Sequence, residues 1–108
     1  MKKFKVLDFQ QADSLTVGSS LKGYINATYS QLLEILGEPT YNEPSGDGKV
    51  QVEWVVSFEG DIFTIYDWKT FDERYTLEEY DRWHVGAKVY SGDFEDLIEQ
   101  LVNKKINA

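Results

Sequence analysis

The sequence contains no cysteine, so neither a disulfide nor thiolate chemistry is open to it. That suits a reducing compartment without proving one. It has a single histidine, His84, so zinc sites built on paired His or Cys ligands are excluded. No stretch approaches the roughly 18 apolar residues that a membrane-spanning helix needs. The basic start, Met1-Lys2-Lys3-Phe4-Lys5, is followed by no apolar run of the secretory kind. The expected setting is therefore the cytoplasm of the cell that makes the chain. Glycine and lysine do meet at Ser45-Gly46-Asp47-Gly48-Lys49, but that segment runs into a strand. A phosphate-binding loop must run into a helix N-terminus, so this one reads as a plain loop. The Asp-x-Asp-x-Asp-Gly spacing of a calcium loop is also missing. No metal or cofactor is expected.

Positive charge is the other shortage. The chain has 11 Lys and Arg against 19 Asp and Glu, a net charge of -8. From Glu34 to Glu99 there are 17 acidic residues and five basic ones (Lys49, Lys69, Arg74, Arg82, Lys88), a formal -12. The other lysines sit at Lys2, Lys3, Lys5, Lys22, Lys104 and Lys105. Such a field repels nucleic acid and acidic membranes. It attracts basic surfaces and speeds encounters with them.

What the chain does have is apolar and aromatic bulk. Of its 108 residues, 42% are hydrophobic and 15% aromatic, enough for one domain with a real core. Residues 1–20 read as a lead-in and 21–103 as the compact part. Leu21 to Ala27 alternates as a short strand. Thr28 with Gln31 forms a capping box ahead of Leu32, Leu33, Ile35 and Leu36, and Gly37 and Pro39 stop that helix. Residues 40–48 are turn chemistry. Val50, Val52, Trp54, Val56 and Phe58 then alternate with Gln51, Glu53, Val55, Ser57 and Glu59, and the first set should face the core. Glu59-Gly60-Asp61 turns into a strand from Ile62 to Trp68, apolar on both faces and so expected to be central. Residues 69–81 are charged and aromatic without a helical period, and read as an exposed excursion. Arg82 to Tyr90 makes a last strand, with Trp83, Val85, Ala87 and Val89 on one face. Ser91-Gly92-Asp93 opens a helix with Phe94, Leu97, Ile98, Leu101 and Val102 along one stripe. The expected fold is α+β: a mainly antiparallel three- to four-stranded sheet with two helices, in the order β-α-β-β-β-α.

His84 lies on the strand face opposite Trp83 and Val85. With no nucleophile placed beside it by spacing, it reads as a half-exposed structural residue. Two candidate sites remain. The first is a protein-binding surface of carboxylates and exposed tyrosines: Glu53, Glu59, Asp61, Asp67, Asp72, Glu73, Tyr75, Glu78, Glu79, Tyr80 and Asp81. Carboxylates there would steer a basic partner, or stand in for phosphates in a nucleic-acid-binding cleft, and the tyrosines would anchor it. The second is an aromatic pocket for a small nucleotide, using Tyr66, Trp68 and Trp83 with Lys69, Arg74 and Arg82 on the phosphates.

Gly23-Tyr24-Ile25-Asn26-Ala27-Thr28-Tyr29, Leu36-Gly37-x-Pro39, Lys49-Val50-x-x-Glu53-Trp54, Thr64-Ile65-Tyr66-Asp67-Trp68-Lys69 and Trp83-His84-Val85-Gly86 together form a pattern. It resembles a family of small proteins encoded by bacteriophages and prophages, over about residues 20–102. That family commonly doubles the last glycine, whereas Ala87 follows Gly86 here. The resemblance brings no residue roles. It implies an accessory phage protein of the sort that disables a host defence factor, CRISPR, restriction or another. Together with the charge it gives the first expectation: a non-enzymatic inhibitor, such as an anti-CRISPR protein or DNA mimic, that binds a basic host surface. The alternative expectation is a sponge for a nucleotide signal of host immunity.

Overall fold

The computed structural model describes residues 4–12, 15–16, 18–43, 50–68 and 82–106. Five strands form one antiparallel sheet: β1 (Phe4–Val6), β2 (Ser20–Asn26), β3 (Glu53–Phe58), β4 (Asp61–Tyr66) and β5 (Arg82–Ala87). Their order across the sheet is β1-β3-β4-β5-β2. The helices are α1 (Phe9–Ala12), α2 (Tyr29–Leu36) and α3 (Gly92–Ile106). The class is α+β, as the patterning requires, and β4 is central. The sheet gains a strand over the expected four because part of the lead-in joins it. Phe4, Lys5 and Val6 pair with Phe58, Ser57 and Val56 at the edge.

Local chemistry sets the elements. The Gln31 backbone N–H donates to Thr28 Oγ1 (3.1 Å), and the Thr28 N–H donates to Gln31 Oε1 (2.8 Å), closing the expected capping box on α2. Gly37 ends α2 at φ 80°, its N–H donating to Leu33 O. The β3–β4 hairpin turns on Glu59 (φ 51°) and Gly60 (φ 85°), the positive pair that a two-residue turn needs to follow strand twist. The Ser91 hydroxyl and Glu95 carboxylate are hydrogen-bonded at the start of α3, where Asp93 and Glu95 also suit the helix dipole.

One face of the sheet carries the main core. Trp54, Val56, Phe58, Phe63, Ile65, Trp83, Val85 and Ile25 are buried there against Leu32 and Leu36 of α2 and Phe94, Ile98 and Val102 of α3. Two indoles also hold α2 in place. Trp83 donates its ring N–H to Ala27 O (3.1 Å) before the helix, and Trp54 donates to Gly37 O (2.9 Å) after it. A buried indole thereby keeps its N–H satisfied while filling space. α3 passes close over β2 at Gly23, where any side chain would strike Glu95.

Three expected strand ends are corrected. β3 begins at Glu53, leaving Val50 half-buried before it. β4 stops at Tyr66, short of Trp68. β5 stops at Ala87, and Val89 is exposed rather than in the core. The excursion expected over residues 69–81 lies outside the described residues.

Candidate functional site

Among the described residues, the second face of the sheet, opposite α2 and α3, is covered only in part. There Leu7 and Ala12 pack on Val55, with Ile62 beside them. Thr40 stitches this cover to the sheet. Val55 N–H donates to Thr40 Oγ1 (2.9 Å), and the Thr40 hydroxyl donates to Leu7 O (2.6 Å), so a hydroxyl stands inside the β1–β3 ladder. Beyond it Tyr41 takes over as β3's partner, opposite Glu53.

The described residues leave the rest of this face open, and its chemistry there is polar. The registers align Glu53 with Tyr66, Tyr66 with His84, and His84 with Tyr24. These four residues form one row across β3, β4, β5 and β2, because residues paired across an antiparallel ladder share a face. Their rings touch: Tyr24–His84 centroids are 5.0 Å apart, Tyr66–His84 5.5 Å, Trp68–His84 6.0 Å and Tyr66–Trp68 6.4 Å. The Arg82 guanidinium lies 3.9 Å above the Tyr24 ring.

A cleft of about 250 Å³ opens beside the Glu53 end of this row. Glu53, Tyr66, Trp68 and Val50 line it together with Thr16, Ser19, Ser20, Thr64 and Gly86. A broader groove of about 910 Å³ shares Glu53, Val50 and Thr16 and adds Phe9, Thr40, Tyr41, Asn42 and Glu43. Burial first, and then the nearby Asp67 carboxylate, push the Glu53 carboxyl up to about 7. Burial, the charge on Glu53 and the Tyr24 phenol raise Tyr66 above the ordinary phenol range. Burial and the Arg82 guanidinium hold His84 below its usual value, with Asp67 opposing them. Near neutral pH, then, His84 is largely an uncharged ring while Glu53 sits at its titration point.

Comparison with protein-family models, with curated proteins and with solved structures finds no match.

The residues expected in the two sites divide unevenly. Glu53 is in the cleft. Glu59 and Asp61 are exposed at the β3–β4 turn, at the other end of the hairpin from Glu53. Asp67 is not a surface carboxylate at all: it is fully buried. Its Oδ1 accepts the backbone N–H groups of Gln51 (2.7 Å) and Val52 (2.9 Å), tying the segment before β3 to the end of β4. A carboxylate satisfied by two amides is a structural clamp. Trp83 is likewise fully buried, in the core on the opposite face, so it lines no pocket here. Tyr66 and Trp68 do line the cleft, and Arg82 stands over Tyr24 farther along the row. Asp72, Glu73, Tyr75, Glu78, Glu79, Tyr80 and Asp81, with Lys69 and Arg74, lie outside the described residues.

Sequence reading missed Tyr24 and the hydroxyls of Thr16 and Ser19. Tyr24 carried a signal in its alternation with Ile25, but only pairing puts it beside His84. Among the described residues no group of three or more His, Asp or Glu is gathered to hold a metal ion, and no helix is long and apolar enough to cross a membrane.

Proposed function

We propose that this chain is a non-enzymatic binding protein that docks on a basic protein surface of the kind that contacts nucleic acid. Its resemblance to phage-encoded accessory proteins supports reading it as an inhibitor of a host defence factor, acting in the host cytoplasm. The observation that carries this reading is the sign of the open face. Both of its clefts are lined by carboxylates, Glu53 and Glu43, and neither has a Lys or Arg among its described lining residues, on a chain of net charge -8. Exposed aromatic area bordered by acid suits an interface anchored by rings and steered by charge. Among the described residues no basic groups converge on either cleft, as the nucleotide sponge would need; Lys69 and Arg74, its expected phosphate contacts, lie outside them. Carboxylates that engage a nucleic-acid-binding surface act as phosphate mimics there, which is how a DNA mimic inhibits.

The test is capture of the partner from host lysate, followed by association rates for the purified pair at about 50 mM and 500 mM salt. Screening at the higher salt should slow association at least tenfold. Double-stranded DNA should compete with the protein for its partner. A salt-independent rate, or undisturbed binding in excess DNA, would sink the reading.

A further inference from the structure

We propose that the cleft beside Glu53 receives the guanidinium of an arginine from the partner, stacked flat on the Trp68 ring with its edge toward Tyr66 and paired with the Glu53 carboxylate. This rests on the reading that the partner is basic, and names the group that the basic surface inserts.

Four features of the cleft converge on that ligand. Glu53 is mostly withdrawn from water beside a second carboxylate, Asp67, and among the described residues no basic side chain pairs with it. A buried negative charge without a counter-charge is costly, and an entering cation relieves it. The aromatic wall is suited to a cation with a flat face. Tyr66 and Trp68 line it with centroids 6.4 Å and ring planes 71° apart, so a planar cation can lie flat on one ring while its edge meets the other. The same sheet face already holds one such contact, Arg82 over Tyr24. Finally, the cleft is also lined by Ser19, whose hydroxyl is buried with no hydrogen-bond partner among the described residues, and by Gly86, where a side chain would meet Thr64 Oγ1 at 2.7 Å. Guanidinium carries five N–H donors in a plane, so it can use the carboxylate and a hydroxyl while stacking. An ammonium presents its donors from a point and gains less from flat walls.

The proton is a competitor for this ligand. Glu53 must be ionised to pair with it. Asp67 after β4, Tyr66 on β4 and Glu43 before β3 are titratable groups near Glu53, with His84 and Arg82 on β5 and Tyr24 on β2 farther along the same face. As pH falls from 8 to 6, Glu53 takes up a proton, and that change opposes a cation.

Trp68 is 39% exposed while Trp54 and Trp83 are fully buried, so tryptophan fluorescence reports on this cleft. The intact protein should be titrated with N-acetylarginine methylamide, its lysine counterpart, and the citrulline counterpart, which keeps the plane and loses the charge. The arginine amide should change Trp68 emission saturably, with the citrulline amide about tenfold weaker or worse and the lysine amide in between. Glu53→Gln should weaken arginine-amide binding about tenfold and flatten its pH dependence between 6 and 8. Tyr66→Leu, a second variant with the reporter intact, should weaken it about threefold or more. Circular dichroism of each variant checks its fold. Equal binding of arginine and citrulline amides overturns the proposal, as does a folded Glu53→Gln protein that binds like the parent. A lysine amide that binds as tightly as arginine overturns the guanidinium assignment. If Glu53→Gln leaves salt-sensitive partner binding undiminished, the cleft proposal fails while the acidic-surface reading stands. Arginine-amide binding beside a partner indifferent to salt has the opposite meaning.

Discussion

Trp54 follows Glu53 in β3, and His84 follows Trp83 in β5, yet each pair is divided between two unlike environments. One step along a strand turns a side chain through the sheet. Trp54 and Trp83 therefore meet α2 and α3, with ring centroids 5.5 Å apart and both indole N–H groups satisfied by backbone carbonyls. Glu53 and His84 emerge on the open face, where a carboxylate, two phenols and an imidazole line up across four strands. The covered face is built for cohesion. The open face keeps ionisable groups half-buried, where neighbours move their titration. A sheet covered on one side can thus hold a rigid core and a tunable surface with no extra residues.

The largest way to break this contrast is on the covered face. Trp54→Ala removes a fully buried indole and its hydrogen bond to Gly37, and should cost about 3–5 kcal/mol in chemical denaturation. A loss under about 1 kcal/mol would mean that the helices do not depend on this face as described.

The open face should respond to pH instead. Glu53 has a folded-state value of about 7 against an ordinary 4.5. Because the folded value is raised, its contribution favours folding below 4.5, declines as pH rises through the interval, and is lost above about 7. Glu53→Gln, neutral at every pH, should match the parent near pH 4.5 and exceed its stability by up to about 3 kcal/mol at pH 8. Denaturation midpoints of the two proteins across that range provide the check. Parallel pH profiles would show that burial does not perturb this carboxyl.

A smaller effect sharpens the comparison at the floor of the cleft. Gly86→Ala puts a methyl 2.7 Å from Thr64 Oγ1 and 3.4 Å from Tyr66 Cε1. Thr64 is buried and gives way poorly, so a loss of about 1–3 kcal/mol is expected in a thermal melt. No loss would mean that the cleft floor is looser than the core across the sheet.

Much of the covered face was legible in the sequence, because its signals are local. Val52, Trp54, Val56 and Phe58 repeat every two residues, and Phe94, Ile98 and Val102 every four; all are buried. The open face was legible only in outline. Alternation placed Glu53 and His84 away from the core but did not join them. Asp67 read as one surface acid among many, whereas it is the buried acceptor of two amides from residues 15 and 16 positions earlier. Residues 1–20 held no clear strand signal, since a three-residue edge strand has too few alternations to show one.

The sequence by itself determined the α+β class, the inward side of β3 and β5, both ends of α2, the turn at Glu59-Gly60 and the sign of the field. Each depends on residues within a few positions of one another, or on composition alone. Only the tertiary structure decided the strand order, the capture of Phe4–Val6 at the edge, the burial of Asp67, and the row that brings Glu53, Tyr66, His84 and Tyr24 together. Those depend on which distant segments pair. A carboxylate's charge, unlike its position in the chain, is set by what surrounds it once they have done so.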